Sequence, residues 1–257
     1  MFAYDDAVAG RYPEIRTGII HATGLANGPS PQGLLDEYGA EQRAASGRLE
    51  ATAIAYMPQI AAGRRAFTWF GAKPTQHRNA AEALLRRLAK RGDVPSINTL
   101  VDIGNLVSIR YAMPVAVFDR ANIAGSIVVR FATGAELFTD LGSTESVHPD
   151  PGEVVFVDED DFVSARRWCW RQSAQSATSP TTVEALMVVE GLHAAAGQDT
   201  ESALADLASL LASHQPQARL EPYLLSPTSL RTGGGRGVED SRSVRDARPR
   251  RPGWSRR

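Results

Sequence analysis

The chain has 257 residues, 43% of them apolar, enough to bury one compact body or two intimately packed subdomains but not several independent domains. Its formal charge of −1 hides an uneven distribution: residues 231–257 carry nine arginines against Glu239, Asp240 and Asp246, so the preceding body is mildly acidic and any RNA contact rests on local clusters. A single cysteine, Cys169, excludes an internal disulfide framework; with no basic, apolar leader and no run of about 18 apolar residues, a cytoplasmic protein without a membrane role is expected.

In chain order, Ile15, Thr17 and Ile19 alternate within residues 12–22 and predict a strand, followed by a Gly/Pro/Ser loop to Pro31. The alanine-rich stretch 32–61 predicts one or two helices broken near Gly39, Gly47 or Pro58. A further helix is predicted over 75–90, capped by Thr75, with an Ala81, Leu84, Leu85 and Leu88 stripe and an end at Gly92. Over 98–111, Leu100, Ile103, Val107 and Tyr111 share one helical face, while Asn98, Asp102 and Asn105 form a polar ridge opposite. Pro114 then opens a strand-rich region: 115–119, 126–132, 153–158 and 162–171. Two helices, 181–196 and 199–213, close the body. Strands grouped between helices make the fold α+β, a central mixed or antiparallel sheet flanked by helices. From residue 215 the pattern collapses into Pro, Ser, Gly and Arg, so 215–257 is expected to be a disordered tail, either a solvated extension or an arm that attracts a polyanion.

The common catalytic signatures are missing: there is no G-x-S-x-G, P-loop, strand-linked G-x-G-x-x-G or H-E-x-x-H. The histidines His21, His77, His148, His193 and His214 lack metal-ligand spacing, so neither a metal nor a cofactor is expected. Three features remain. In Arg166-Arg167-Trp168-Cys169-Trp170-Arg171-Gln172 a strand would set Trp168 and Trp170 on one face and Arg167, Cys169 and Arg171 on the other, which reads as a stacking and phosphate-binding surface or as core tryptophans with paired arginines. Glu190 falls on the apolar stripe of Val183, Met187 and Ala194, where a carboxylate is either the partner of a buried arginine or a site residue. The Asn98, Asp102 and Asn105 ridge is either plain surface or part of a cleft.

Taken in order, the motifs resemble a known family. They are Trp69-Phe70-Gly71-Ala72-Lys73-Pro74-Thr75, Glu82 to Arg87, Pro95 to Ser108, Met113-Pro114-Val115 with Phe118-Asp119, Ile127 to Arg130, Gly134 to Phe138, Pro151 to Val155, Arg167 to Ser173 and Val189-Glu190-Gly191. Across about residues 15–211 the chain is similar to the B3/B4 editing domain of the phenylalanyl-tRNA synthetase beta subunit, in its stand-alone form. The resemblance implies a B3/B4-like domain over 1–214, with a helix and strand part over 1–95 and a motif-rich core over 96–214, and a pocket at the junction of two interleaved subdomains. It implies mischarged aminoacyl-tRNA as partner, rather than DNA or a membrane, and hydrolysis of the ester. Within the synthetase that substrate is tyrosine on the phenylalanine tRNA; stand-alone relatives include deacylases of canavanine on the arginine tRNA. No synthetase catalytic core or ATP motif is present, so ligase activity is not implied.

On that resemblance Asn98 and Asn105 are expected to orient the ester or terminal ribose, and Glu190 to bind the amino group or order the attacking water. Asp119 and Glu136 would read a cationic side chain. Arg130, Arg167 and Arg171 would hold the 3′-end phosphates, with Trp168 or Trp170 as stacking platform. The rival readings are a non-catalytic tRNA-binding module and a synthetase accessory protein.

Overall fold

The structure is a computed structural model that describes residues 2–225; the arginine-rich stretch after them, where a tail was expected, lies outside the described residues. In chain order the elements are β1 (Phe2–Tyr4), α1 (Asp6–Arg11), β2 (Arg16–Thr23), α2 (Gln32–Ala51), α3 (Pro58–Trp69), α4 (Ala80–Arg91), α5 (Thr99–Tyr111), β3 (Val115–Asp119) and β4 (Ile127–Phe131). They continue with β5 (Phe138–Thr139), β6 (Ser146–Val147), β7 (Val154–Val157), β8 (Val163–Arg166), β9 (Arg171–Gln172), β10 (Glu184–Gly191), α6 (Ala196–His214) and β11 (Arg219–Leu225). The fold is α+β, as expected.

Two principal sheets organise it. One has the order β1-β4-β7-β8-β9, with β1 parallel to β4 and the other neighbours antiparallel. The other, β11-β2-β10-β3, is antiparallel throughout. β5 and β6 form a small separate ribbon.

Strand β10 sets the layering through its period of two. Ala185, Met187 and Val189 point into a core shared with Leu34 and Tyr38 of α2, Leu85 and Leu88 of α4, Leu100, Ile103 and Val107 of α5, and Leu207 and Leu211 of α6. Leu186 and Val188 point the opposite way, into a second core with Ile127, Val129, Val154 and Phe156 of the five-stranded sheet and Ala66 and Phe67 of α3. Phe118 on β3 meets Phe156 edge to face, with ring centroids 5.9 Å apart, joining the two sheets directly.

Because β10 lies between β2 and β3 and is covered on both faces, its sequence is a continuous apolar run. Such a run carries no period of two, which is why residues 181–196 read as a helix and are a strand instead. A second correction concerns the start of the predicted tail, since 219–225 add β11 to the edge of the four-stranded sheet against β2. Half-exposed along its length and interrupted by Pro222, that strand has the composition of a sheet edge rather than of a core strand.

Helix α5 is where the helices meet the sheet, and it is buried almost all round. Leu100, Ile103 and Val107 pack inward as the periodicity predicts, but the polar ridge opposite is buried as well. Asp102, fully buried, accepts hydrogen bonds from Ser30 Oγ at 2.6 Å and Ile97 N at 2.9 Å, and from Ser96 Oγ. It therefore ties the 24–31 and 92–98 loops to the helix start. Gly104 permits the close approach of α5 to β3: a Cβ there would stand 2.8 Å from Val117 Cγ2. The helix predicted from Thr75 begins instead at Ala80, because Asn79 Oδ1 caps Glu82 N at 2.8 Å, and it ends at Gly92 in the left-handed conformation, as expected.

Candidate active site

Where the two sheets separate, a pocket opens between the end of β10, α3, the start of β3 and the β8–β9 turn. Glu190, Gly191 and His193 form one side, Gln59 and Phe67 of α3 another, Met113 and Pro114 a third, and Trp168 and Cys169 a fourth. The pocket holds about 360 Å³ of empty space counting its mouth, but a water-sized sphere finds only about 20 Å³ inside it, room for roughly one water.

At its foot lies Glu190. The same alternation that puts Leu186 and Val188 between the sheets puts Glu190 there too, one step beyond the apolar stripe, so its carboxylate is buried at 4% exposure. Both oxygens are held. Oε1 accepts from Tyr4 Oη, and Oε2 accepts from Trp168 Nε1 at 3.0 Å. Tyr4 has only one hydroxyl proton, so Thr17 Oγ1, 2.5 Å away, donates to it in turn. Burial pushes the Glu190 pKa up to about 7, against the lowering effect of the Tyr4 and Trp168 hydrogen bonds. The result is a carboxyl group that changes charge near neutral pH. Burial, then the neighbouring Glu190 charge, raises Tyr4 well above the ordinary tyrosine value, keeping it a neutral donor. The same two causes raise the Cys169 thiol, which is thereby a poor nucleophile at neutral pH.

The β8–β9 connection explains how Trp168 reaches Glu190. The strand expected over 162–171 breaks after Arg166, and Arg167 and Trp168 take φ of 45° and 57°, a left-handed conformation that costs non-glycine residues roughly 1–2 kcal/mol each. Consecutive strained residues of this kind are held only where surrounding contacts over-determine them. Here Trp168 N donates to Val154 O, its ring meets Tyr12 edge-on at 4.8 Å, and its indole N–H meets Glu190. Trp168 and Trp170 consequently do not share a strand face. Trp168 is core and Trp170 is half-buried at the surface, with the guanidinium groups of Arg167 and Arg171 at 4.9 and 4.8 Å from its ring centroid and His77 edge-on at 4.8 Å.

Of the residues singled out from sequence, then, only Glu190 and Trp168 line this pocket. Arg167 borders a shallower polar hollow beside it with Lys73, Gln76 and His77, but is paired with Asp150 at 2.9 Å and Glu153 at 3.1 Å. Arg171 pairs with Asp140 at 2.5 Å. Asn98 caps α5, accepting from Val101 N at 3.0 Å and donating to Thr178 Oγ1 at 3.2 Å, and Asn105 is half-buried against Tyr38. Neither lines this pocket.

Asp119 and Glu136 do not line it either. Asp119 accepts from Ala121 N at 2.9 Å and Thr182 Oγ1 at 2.5 Å. Glu136 is enclosed by Thr133 N, Gly134 N and the Arg130 guanidinium, while Arg130 also reaches Asp161 at 2.9 Å. Burial works to raise the Glu136 pKa, but these hydrogen bonds more than offset it and hold it at about 2. A carboxylate so fully satisfied has little left to offer a ligand. Sequence reasoning missed Tyr4, Gln59, His193 and Asp199, which no local motif connects; the sole signal was a histidine three positions after Glu190.

The fold and site together define a mixed α+β protein with a carboxylate-floored pocket between two sheets. Among the described residues no group of three or more His, Cys, Asp or Glu is placed to hold a metal ion, and no helix is long and apolar enough to cross a membrane. The B3/4 domain family matches residues 62–214, more than half of the chain, and the protein belongs to that family. It is 35% identical over 66 residues to the beta subunit of a phenylalanine-tRNA ligase from Shewanella oneidensis, a match covering 26% of this chain and 8% of the relative. Among solved structures it is similar to an N-terminal fragment of the phenylalanyl-tRNA synthetase beta subunit from Pyrococcus horikoshii, at 13% identity and a TM-score of 0.44 over 86% of this chain and 50% of that one.

Proposed function

We propose that this protein is a trans-editing deacylase that hydrolyses the ester of mischarged aminoacyl-tRNA, with the Glu190 pocket as its site. The observation that carries the reading is a buried carboxyl group whose two oxygens are pre-oriented by Tyr4 and Trp168 at the foot of a pocket. Membership of the B3/4 family, and likeness to a beta subunit of a phenylalanine-tRNA ligase, support a tRNA-linked substrate.

An aminoacyl ester is already activated, so a site needs mainly to place the carbonyl and a water and to reject the correct amino acid. Each Glu190 oxygen keeps lone-pair capacity after its one protein donor. That capacity accepts a donor from the substrate, either the α-ammonium or a polar side-chain end such as a tyrosine hydroxyl or the guanidinium-like group of canavanine. The pocket admits a water but no whole side chain until rotamers at its walls change, a scale of adjustment common on binding. On the far side of the β8–β9 turn, Trp170 with Arg167 and Arg171 against its ring offers a stacking surface for the 3′ end of the tRNA, whose phosphates would compete with Asp140 and Asp150 for the two arginines.

The test is amino-acid release from a panel that includes tyrosyl-tRNA for phenylalanine and canavanyl-tRNA for arginine, beside their correctly charged forms. Rapid loss of one mischarged species with its cognate spared is the expected result. Equal binding of charged and uncharged tRNA without turnover would replace the proposal with a non-catalytic tRNA-binding module.

A further inference from the structure

We infer that His193, oriented by Asp199, is the general base that deprotonates the attacking water in the Glu190 pocket. This rests on the deacylase reading above and adds to it a residue that neither the sequence motifs nor Glu190 itself provides.

Three observations carry it. His193 lines the same pocket as Glu190, three residues further along the chain, where β10 turns into α6. Its side chain is 3% exposed, and Nε2 lies 2.7 Å from Asp199 Oδ2. Its other nitrogen, Nδ1, is buried and has no hydrogen-bond partner. An ionised Asp199 is an acceptor only, so the proton sits on Nε2 and Nδ1 presents a lone pair. Protonating both nitrogens would leave a buried N–H donor unanswered as well as a buried charge, so the neutral tautomer is the one this geometry favours.

Asp199 is itself fixed by a second hydrogen bond, from Gln59 Nε2 at 3.2 Å, which ties the orienting carboxylate to the α3 wall of the pocket. The arrangement is carboxylate, imidazole, then a buried nitrogen with no protein partner, the order of groups that activates a nucleophile in unrelated hydrolases. Thr200 Oγ1, on the turn of α6 that packs against Gly191, is also buried without a partner. Buried polar atoms left in this condition mark places where water or a ligand group completes the hydrogen bonding.

In the step assigned to it, Nδ1 takes a proton from water as the water oxygen bonds to the ester carbonyl carbon. The tetrahedral intermediate then breaks its bond to the ribose oxygen, and the proton passes from Nδ1 to that oxygen, releasing free amino acid and a tRNA with its terminal hydroxyl restored. Glu190 holds the substrate in this scheme. Asp199 and Gln59 are positioning residues, acting through the imidazole.

Asp199 of α6 contacts the ring, and the other titratable groups lining the same pocket are Glu190 at the end of β10 and Cys169 in the β8–β9 turn. Glu190 changes charge near neutral pH, so a pH profile of activity cannot by itself be assigned to His193. The experiment therefore has two arms on the full chain. In the first, kcat and KM are measured for His193→Gln and Asp199→Asn on whichever mischarged tRNA the wild type turns over. In the second, long-range ¹⁵N correlation spectra of the wild type read the histidine tautomer at pH 7.5.

His193→Gln is expected to lower kcat about 10²-fold or more with KM near the wild-type value. Asp199→Asn, which preserves an acceptor and hence the joint between β10 and α6, is expected to lower kcat by about 10-fold or more; the spectra are expected to show Nε2 protonated and Nδ1 bare. An active wild type whose kcat is unchanged in His193→Gln, or whose Nδ1 carries the proton, would overturn this inference and leave the deacylase reading standing. A wild type that turns over no mischarged tRNA would overturn both.

Discussion

Glu190→Gln is the substitution that most directly interrogates the pocket, because the sign of its effect on stability changes with pH. In the wild type the folded-state pKa is pushed up to about 7 from an ordinary 4.5. A raised folded pKa means that the native state holds a proton that the unfolded chain has already released. Stability from this group is therefore complete below about 4.5 and is lost as pH rises through about 7. The displacement of about 2.5 units corresponds to roughly 3 kcal/mol, taking about 1.4 kcal/mol per unit.

Glutamine fits the site without titrating. Its Oε1 can accept the Trp168 indole N–H, and its Nε2 can donate to the Tyr4 oxygen while Tyr4 turns its proton to Thr17. Urea denaturation of both proteins at pH 4.5 and pH 8 is the assay. The stability of the variant relative to the wild type is expected to rise by about 3 kcal/mol across that interval, a relative shift in melting temperature of about 6–12 °C for a chain of this size. A difference that stays constant from pH 4.5 to 8 would falsify the claim that the carboxyl group is held neutral by burial.

Other expectations concern its surroundings. Trp168→Phe removes the donor to Glu190 and some ring volume at a fully buried position, so it is expected to cost about 3 kcal/mol at pH 8 and less at pH 5, where Glu190 is protonated; denaturation at the two pH values tests this. Glu136→Gln should lose roughly 3 kcal/mol at pH 7, because the depressed folded pKa of about 2 provides stability above about 4.5 that disappears as pH falls through 2. If the variant and wild type differ equally at pH 2 and pH 7, the hydrogen bonds from the Thr133–Glu136 turn and Arg130 do not favour the ionised carboxylate. Gly104→Ala sets a methyl 2.8 Å from Val117 Cγ2, and α5 must move off β3; a loss of about 1–3 kcal/mol in thermal unfolding is expected, and full stability would show that the helix has slack there.

Much of the architecture was legible locally. Helices α4, α5 and α6 followed from stripes and termini, down to the left-handed Gly92, and β2, β3, β4 and β7 followed from short apolar runs between turn residues. The helix assigned to 181–196 failed for a reason of packing. A strand buried on both faces presents no alternation, and only its register with β2 and β3 tells it from a buried helix. The Arg166 to Gln172 run failed for a reason of backbone: nothing in those side chains announces that Arg167 and Trp168 sit at positive φ, which sends one tryptophan to the core and leaves the other between two arginines.

What the sequence alone determined is the family, from motifs spread over most of the chain; it singled out Glu190 as a carboxylate among apolar neighbours, but on a helical stripe that is a strand in the structure. Tertiary structure decided how that carboxylate is held. Tyr4 lies 186 positions away and Trp168 22 positions away, and they reach it only because β1 and the β8–β9 turn belong to the sheet that packs across β10. Asn98, Asp119 and Glu136 instead take backbone donors two or three positions away as caps and turn anchors, and the fold adds Thr178 to Asn98 and Thr182 to Asp119.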